Sequence, residues 1–106
     1  MSLFVCLVNY TKPLESIEEV LPLHRAYLRE CYKRGFLLAS GPRNPKDGGL
    51  IIGRFKDREE AILFSKNDPF CQKEVASYEI LEFEPVLHSE LLNDFLGADS
   101  KGGAHE

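Results

Sequence analysis

The sequence lacks the features that mark several classes of protein. It carries 13 lysines and arginines against 17 acidic residues, for a formal net charge of −4, and its longest basic run is Lys33-Arg34. Because a nucleic-acid surface needs a concentrated basic patch, we expect no nucleic-acid partner. The apolar run that follows Met1 is too short to span a bilayer, and no positively charged segment precedes it. We therefore expect a cytoplasmic protein with no membrane partner.

Cysteine is scarce and has no paired spacing. Cys6, Cys31 and Cys71 are odd in number and form no CxxC or CxxH motif, so free thiols are expected rather than disulfides or a zinc site. Nucleotide motifs are also missing, because the loop "GPRNPKDGG" (41–49) contains neither GxxxxGK nor GxGxxG. Ser40 has no GxSxG context, which disfavours a serine nucleophile. We expect no metal and no cofactor.

What is present is the pattern of one α+β domain. Apolar alternation predicts strands over 3–9, 36–40, 50–55 and 77–86, with a helix after the first strand and another after the third. Pro22 is predicted to be the first residue of the first helix, because its missing N–H would have no partner there. The resulting βαββαβ order is typical of a ferredoxin-like sandwich, a four-stranded antiparallel sheet with both helices on one face.

The ends of this domain follow from composition. We expect residues 1–96 to form a single domain, closed by a short packed helix whose apolar face is Leu87, Leu91, Leu92 and Phe95. Residues 97–106 are rich in glycine and polar residues, which predicts a disordered tail. With both helices on one side, the other sheet face would be left apolar, so we expect a homodimer that covers it.

His24 is the residue whose position raises a question. Helical spacing places it on the apolar face of the first helix, near Leu28 and Cys31. From position alone, a satisfied core histidine is the favoured interpretation, and an acid/base role is the alternative. Asp68 has a structural explanation of its own, since Asp followed by Pro69 is a common helix start. A carboxylate has enough lone pairs to cap backbone N–H groups and still accept a hydrogen bond from an imidazole, so the helix start does not exclude a contact with a histidine.

Four pieces of the chain resemble the YciI-like (YCII-related) family of small α+β proteins. They are the apolar first strand, "LHRAYL" (23–28), "GFLLASGP" (35–42) and "DPF" (68–70), and they span residues 2 to about 83. The resemblance implies a dimeric α+β barrel whose two sheets pack face to face. It also implies a pocket that brings His24 and Asp68 together, with Ser40, Gly41 and Pro42 in its wall.

Two functions follow from this resemblance. The first is a cofactor-free lyase, isomerase or dehydrohalogenase that acts on a small cyclic or aromatic compound, with His24 as acid/base and Asp68 orienting it. Its pocket would be lined by Phe4, Tyr27, Phe36 and Phe70, since small-ligand sites are mostly apolar and aromatic. The alternative is a non-catalytic module that binds a small organic ligand or serves for dimerisation. Fold alone does not choose between them.

Overall fold

The computed structural model describes residues 2–97 of the chain. Its elements are β1 (Leu3–Tyr10), α1 (Leu14–Lys33), β2 (Leu37–Pro42), β3 (Gly48–Arg54), α2 (Arg58–Asn67), α3 (Pro69–Gln72) and β4 (Ala76–Phe83), followed by a 3₁₀ turn (Glu90–Leu92) and α4 (Asn93–Leu96). None of the described helices has the length and apolarity needed to cross a membrane.

The strands form one antiparallel sheet in the order β2-β3-β1-β4. β1 lies in the middle, and its Cys6 pairs with Ile51 of β3 on one side and Ile80 of β4 on the other. β3 also pairs with β2, which follows from the short connection between them. The predicted βαββαβ order and four-stranded antiparallel sheet are confirmed.

The two faces of the sheet differ in burial. On the helix-facing side, Phe4, Cys6 and Val8 of β1 are almost fully buried, because successive side chains alternate between faces and these three share one. On the opposite side, Leu81 and Phe83 of β4 are about half exposed, at 50% and 48%. The core therefore lies between the sheet and the helices, and one apolar face is open to solvent in the single chain.

The predicted start of the first helix is wrong, since α1 begins at Leu14 and Pro22 lies inside it. A proline in a helix interior costs about 3 kcal/mol because it cannot donate its backbone hydrogen bond. The buried stripe of α1, however, already includes Ile17 and Val20 ahead of the proline. Burying two such side chains contributes about 1.5–3 kcal/mol each, which is enough to continue the helix through Pro22.

The segment after β4 also differs from the prediction. Leu87 and Leu91 of the expected apolar face are 66% and 90% exposed, whereas Leu96 is fully buried. The Phe95 ring packs under the Arg54 guanidinium, 5.3 Å from its centroid. The prediction assumed one continuous helix over residues 87–95. The chain forms only a 3₁₀ turn and a single turn of α-helix there, so a different set of side chains is buried. The predicted tail beyond residue 97 lies outside the described residues.

Candidate functional site

His24 occupies the middle of α1, on the stripe that packs against the rest of the chain. Only 9% of the residue is exposed. Its imidazole stacks on the ring of Phe70, with centroids 3.9 Å apart and planes 3° from parallel. Because a helix fixes the direction of its side chains and the stack fixes the ring plane, the imidazole has little rotational freedom.

Asp68 lies at the junction of α2 and α3 and is fully buried. Its backbone N–H donates to the Ser65 carbonyl at the end of α2. Its side chain accepts a hydrogen bond from the Phe70 N–H at 3.0 Å and so caps α3, with Pro69 at the first helical position. The helix-start interpretation of Asp68 is thus correct as far as it goes.

The structure brings His24 and Asp68 together. Nδ1 of His24 lies 2.8 Å from Oδ1 and 3.0 Å from Oδ2 of Asp68, a buried contact between residues 44 positions apart. Since the carboxylate already accepts from the Phe70 N–H, we assign the proton to Nδ1, which donates to it. Within residues 2–97 we find no hydrogen bond to Nε2. Nε2 is therefore the ring nitrogen that remains for a ligand.

Tyr78 is a member of this cluster that sequence reasoning missed. Its hydroxyl donates to Oδ2 of Asp68 at 2.5 Å. Burial, followed by the Asp68 charge and this hydrogen bond, raises the pKa of Tyr78 far above its ordinary value, so the hydroxyl remains a neutral donor. Alternation along β4 places Tyr78 on the helix-facing side with Ile80. No signal in the sequence indicates that Asp68 lies opposite.

A cavity of about 400 Å³ adjoins this cluster, between the first half of α1 and the strands β1, β2 and β3. Its apolar lining includes Val8, Leu14, Ile17, Leu21, Ile51 and Phe70. His24 contributes to the lining, and so do Ser40, Gly41 and Pro42 at the end of β2. Asp68 does not line the cavity and lies behind His24. The volume is within the range of about 300–1,000 Å³ that is usual for small-ligand pockets.

Three of the four aromatic residues expected in this pocket lie elsewhere, so that prediction is wrong for Phe4, Tyr27 and Phe36. With two further phenylalanines they form a cluster of rings, which we call the aromatic cluster: Phe4, Tyr27, Phe36, Phe55 and Phe64. Contacting centroids in it are 5.2–5.9 Å apart. The rings pack against one another because this buries more apolar surface than facing an open cavity.

The loop between β2 and β3 is held against the sheet by Arg43. Its guanidinium donates to the carbonyl oxygens of Val8 at 3.0 Å and Gly49 at 2.8 Å, and to Oδ1 of Asn9 at 3.0 Å. Gly48 is required here, since a Cβ would lie 2.0 Å from the Val8 carbonyl oxygen. The loop therefore lies close against β1, and its Lys46 reaches the cavity lining.

The three cysteines are free, as expected, and lie outside the cavity lining. Burial raises the pKa of Cys6 to about 11, and burial together with the nearby Asp68 charge does the same for Cys71. At neutral pH these thiols are protonated and unreactive. Among residues 2–97, no group of three or more His, Cys, Asp or Glu side chains is arranged to hold a metal ion.

The profile of the YCII-related domain matches residues 2–84, which is most of the chain. The chain belongs to the YCII-related family. No curated protein matches its sequence. The match ends close to β4, so the 3₁₀ turn and α4 lie outside the part that defines a YCII-related domain.

Two solved structures share the fold of this YCII-related protein. One is the 5-chloro-2-hydroxyhydroquinone dehydrochlorinase of Burkholderia phenoliruptrix AC1100 in complex with 2,5-dihydroxybenzoquinone, at a TM-score of 0.66 and 17% identity over 79% of this chain and 94% of that one. The other is an antibiotic biosynthesis monooxygenase, at a TM-score of 0.52 and 18% identity over 77% and 96%. At these identities the likeness shows the fold alone, which is the ferredoxin-like α+β sandwich described above.

Proposed function

We propose that this protein is a small-molecule enzyme in which His24 is the general acid/base and Asp68 orients it. The observation that carries the proposal is the hydrogen bond from Nδ1 of His24 to Asp68 at 2.8 Å, beside a cavity of about 400 Å³. A histidine whose Nδ1 proton is fixed by a carboxylate presents a basic Nε2 lone pair. The reaction class we propose is that of a lyase, isomerase or dehydrohalogenase that needs no cofactor.

The cluster around Asp68 suits it to this role. Its carboxylate accepts from His24, the Phe70 N–H and the Tyr78 hydroxyl, so its position is fixed by three donors. When Nε2 takes a proton from a substrate carbon or hydroxyl, the imidazole becomes cationic next to a carboxylate that is already in place. Such pre-organised stabilisation costs no rearrangement during the reaction, and acid/base catalysis of this type contributes about 10²–10⁴ in rate.

The ligand we propose is a small cyclic or aromatic compound. Phe70, whose ring stacks on His24, gives the cavity an apolar wall together with Ile51 and Val8. The neighbouring dehydrochlorinase was solved with a small ring compound, 2,5-dihydroxybenzoquinone, which supports this choice of ligand class. Ser40, Gly41 and Pro42 would form the opposite wall, as the family resemblance implies.

We also propose that the protein is a homodimer through the open face of its sheet, in the cytoplasm. The half-exposed Leu81 and Phe83 on that face support the proposal, because apolar patches of this kind are usually covered. Free cysteines fit a reducing compartment. Sedimentation at micromolar concentration should give twice the chain mass of 12.0 kDa. A compact 12.0 kDa species would contradict the dimer.

The catalytic proposal is tested without knowledge of the natural substrate. Small cyclic ketones, phenols and lactones are incubated with the protein in D₂O, and deuterium incorporation at carbon is followed by NMR. Proton abstraction by Nε2 should give incorporation by wild-type protein and none by His24→Gln, which keeps a side chain of similar size. Exchange by the variant at the wild-type rate would end the acid/base role. Ligand binding without exchange in any compound would favour a non-catalytic module.

A further inference from the structure

The charged residues that line the cavity include more cations than anions. Arg25 of α1 and Lys46 of the loop between β2 and β3 both line it, and Glu18 is the only carboxylate that residues 2–97 contribute to the lining. All three are exposed, so they lie at the rim of the cavity rather than in its depth. The rim therefore carries two positive charges against one negative charge.

Among the described residues, neither of these two cations has a partner that would neutralise it. Within residues 2–97, neither the Arg25 side chain nor the Lys46 side chain takes part in an ion pair or hydrogen bond. Glu18 and Arg25 are seven residues apart on α1, which separates them by about 10.5 Å along the helix axis. Asp47, the acidic neighbour of Lys46 in the chain, instead accepts from Arg43 at 3.4 Å.

Lys46 lies in a part of the loop whose backbone is held by hydrogen bonds. The Asp47 carbonyl accepts from the Tyr10 N–H at 3.1 Å, and the Asp47 N–H donates to the Pro45 carbonyl at 2.8 Å. The Arg43 guanidinium donates to carbonyl oxygens and to Asn9, so it does not compete with Lys46 for an anionic ligand. The cation of Lys46 is thus presented at the rim by a backbone that the neighbouring strands hold in place.

We propose that the ligand of this cavity is a small cyclic acid, bound with its carboxylate at the rim between Arg25 and Lys46 and its ring inside, next to His24 and Phe70. The proposal rests on the proposed function in using the same cavity, and it adds the charge of the ligand and its orientation. An apolar wall with His24 at one side accepts the ring, and the two unpartnered cations accept the anionic group. The reacting atom would then belong to the ring rather than to the carboxylate.

The test compares acids with amides of the same shape. The probes are benzoate with benzamide, phenylacetate with phenylacetamide, and cyclohexanecarboxylate with cyclohexanecarboxamide, each titrated into the full chain at low ionic strength. Binding is followed by NMR signals of His24 and Phe70, which report from inside the cavity. Since an exposed charge pair contributes modestly, we expect each acid to bind about two- to fivefold more tightly than its amide for each cation involved.

Matched variants locate the effect. In the double variant Arg25→Gln/Lys46→Gln, the affinities for each acid and its amide should differ by no more than about twofold. Glu18→Gln, in contrast, should strengthen acid binding. Arg29→Gln is the control, because Arg29 is an exposed cation on the same helix but outside the cavity lining. It should leave the preference for acids intact. Added salt should weaken that preference, since it screens charges at an exposed rim.

Three results would overturn the proposal. Equal affinity for acids and amides would show that the rim does not recognise a carboxylate. The proposals of a ligand cavity and of an acid/base role for His24 would be unaffected. An equal loss of preference in Arg29→Gln would assign the effect to net charge rather than to the rim. No binding of any acid up to about 10 mM would exclude a carboxylate site. The deuterium exchange of wild-type protein against His24→Gln is scored separately, so failure of the anion site and failure of the catalytic proposal give different results.

Discussion

The aromatic cluster and the cavity both contact helix α1, and strand β1 passes along both. On its helix-facing side β1 presents Phe4 to the cluster and Val8 to the cavity. Where the side chains are large, the space is filled by rings in mutual contact. Where they are small, about 400 Å³ stays open beside His24. The comparison indicates that one end of the core is filled and supplies mainly stability, whereas the other end leaves room for the proposed binding site.

The largest expected effect on stability comes from Phe55→Ala in the aromatic cluster. The ring of Phe55 is 2% exposed and contacts the rings of Phe4, Phe36 and Phe64. Removing it should lower the free energy of unfolding by about 3–5 kcal/mol, as measured by urea denaturation. Under conditions where the variant remains folded, binding of benzoate in the cavity should be unchanged. A loss of binding by the folded variant would show that the two regions are not independent.

The next largest effect on stability comes from Asp68→Asn, which acts beside the cavity. An amide has one accepting oxygen, whereas the carboxylate accepts from three donors, so we expect a loss of about 1–3 kcal/mol in unfolding free energy. Deuterium exchange should fall by about 100-fold or more, because Nδ1 of His24 is no longer held by a charge. Asp57→Asn makes the same change at the exposed cap of α2 and should alter neither quantity much. Exchange at the wild-type rate in Asp68→Asn would contradict the orienting role.

Tyr78 links the aromatic cluster to the His24–Asp68 pair, since its ring packs against Phe64 and its hydroxyl donates to Asp68. Its pKa is raised in the folded state, so the unfolded chain releases the phenolic proton first as the pH rises. The stabilisation is complete below a pH of about 10 and declines above it, by up to about 1.4 kcal/mol per pH unit. Tyr78→Phe should therefore show a flatter decline in unfolding free energy above pH 10. An unchanged slope would contradict the buried, neutral hydroxyl.

At lower pH the same variant tests the hydrogen bond from Tyr78 to Asp68. Loss of one hydrogen bond to a charged group should cost about 1.5–3 kcal/mol at most, and about 0.5–1.5 if the carboxylate finds another donor. Because Asp68 would keep its contacts with His24 and the Phe70 N–H, exchange should fall less than in Asp68→Asn. A larger fall would give Tyr78 a direct part in the reaction.

The smallest effect is expected from Ser40→Ala at the cavity wall. The Ser40 hydroxyl and the Tyr32 hydroxyl lie 2.8 Å apart in an exposed position, so stability should change by no more than about 0.5 kcal/mol. Tyr32→Phe removes the other partner of the same bond and serves as the control. If Ser40 contacts the ligand, Ser40→Ala alone should weaken probe binding. Equal effects of the two variants would leave Ser40 with a structural role only.

The sequence predicted those features that depend on alternation and on local chemistry. The strand order and the capping role of Asp68 follow from the residue pattern and from the Asp-Pro pair. The position of His24 on the buried side of α1 follows from helical spacing. Its contact with Asp68 was implied only by the family resemblance, because the two residues lie 44 positions apart and spacing says nothing over that distance.

The features that were mispredicted depend on packing between elements. The sequence predicted a helix start at Pro22 because the free-energy cost of a proline inside a helix can be judged from the sequence alone. The burial of Ile17 and Val20, which outweighs that cost, depends on packing against other elements. Phe36 was placed in the pocket because it is aromatic, but the neighbouring rings of Phe55 and Phe64 determine where it lies. Tyr78 could be assigned to a face of β4 but not to a partner, since the partner sits on another element.

The antiparallel placement of β1 between β3 and β4 has a consequence for how the protein folds. The first strand pairs with segments that begin about 45 and 73 residues later, so neither half of the chain forms the sheet alone. His24 and Asp68 likewise come from opposite halves. Folds dominated by such distant contacts form slowly, because the intervening loops must close first. A ligand that binds only the completed cavity should therefore slow unfolding and leave the folding rate almost unchanged.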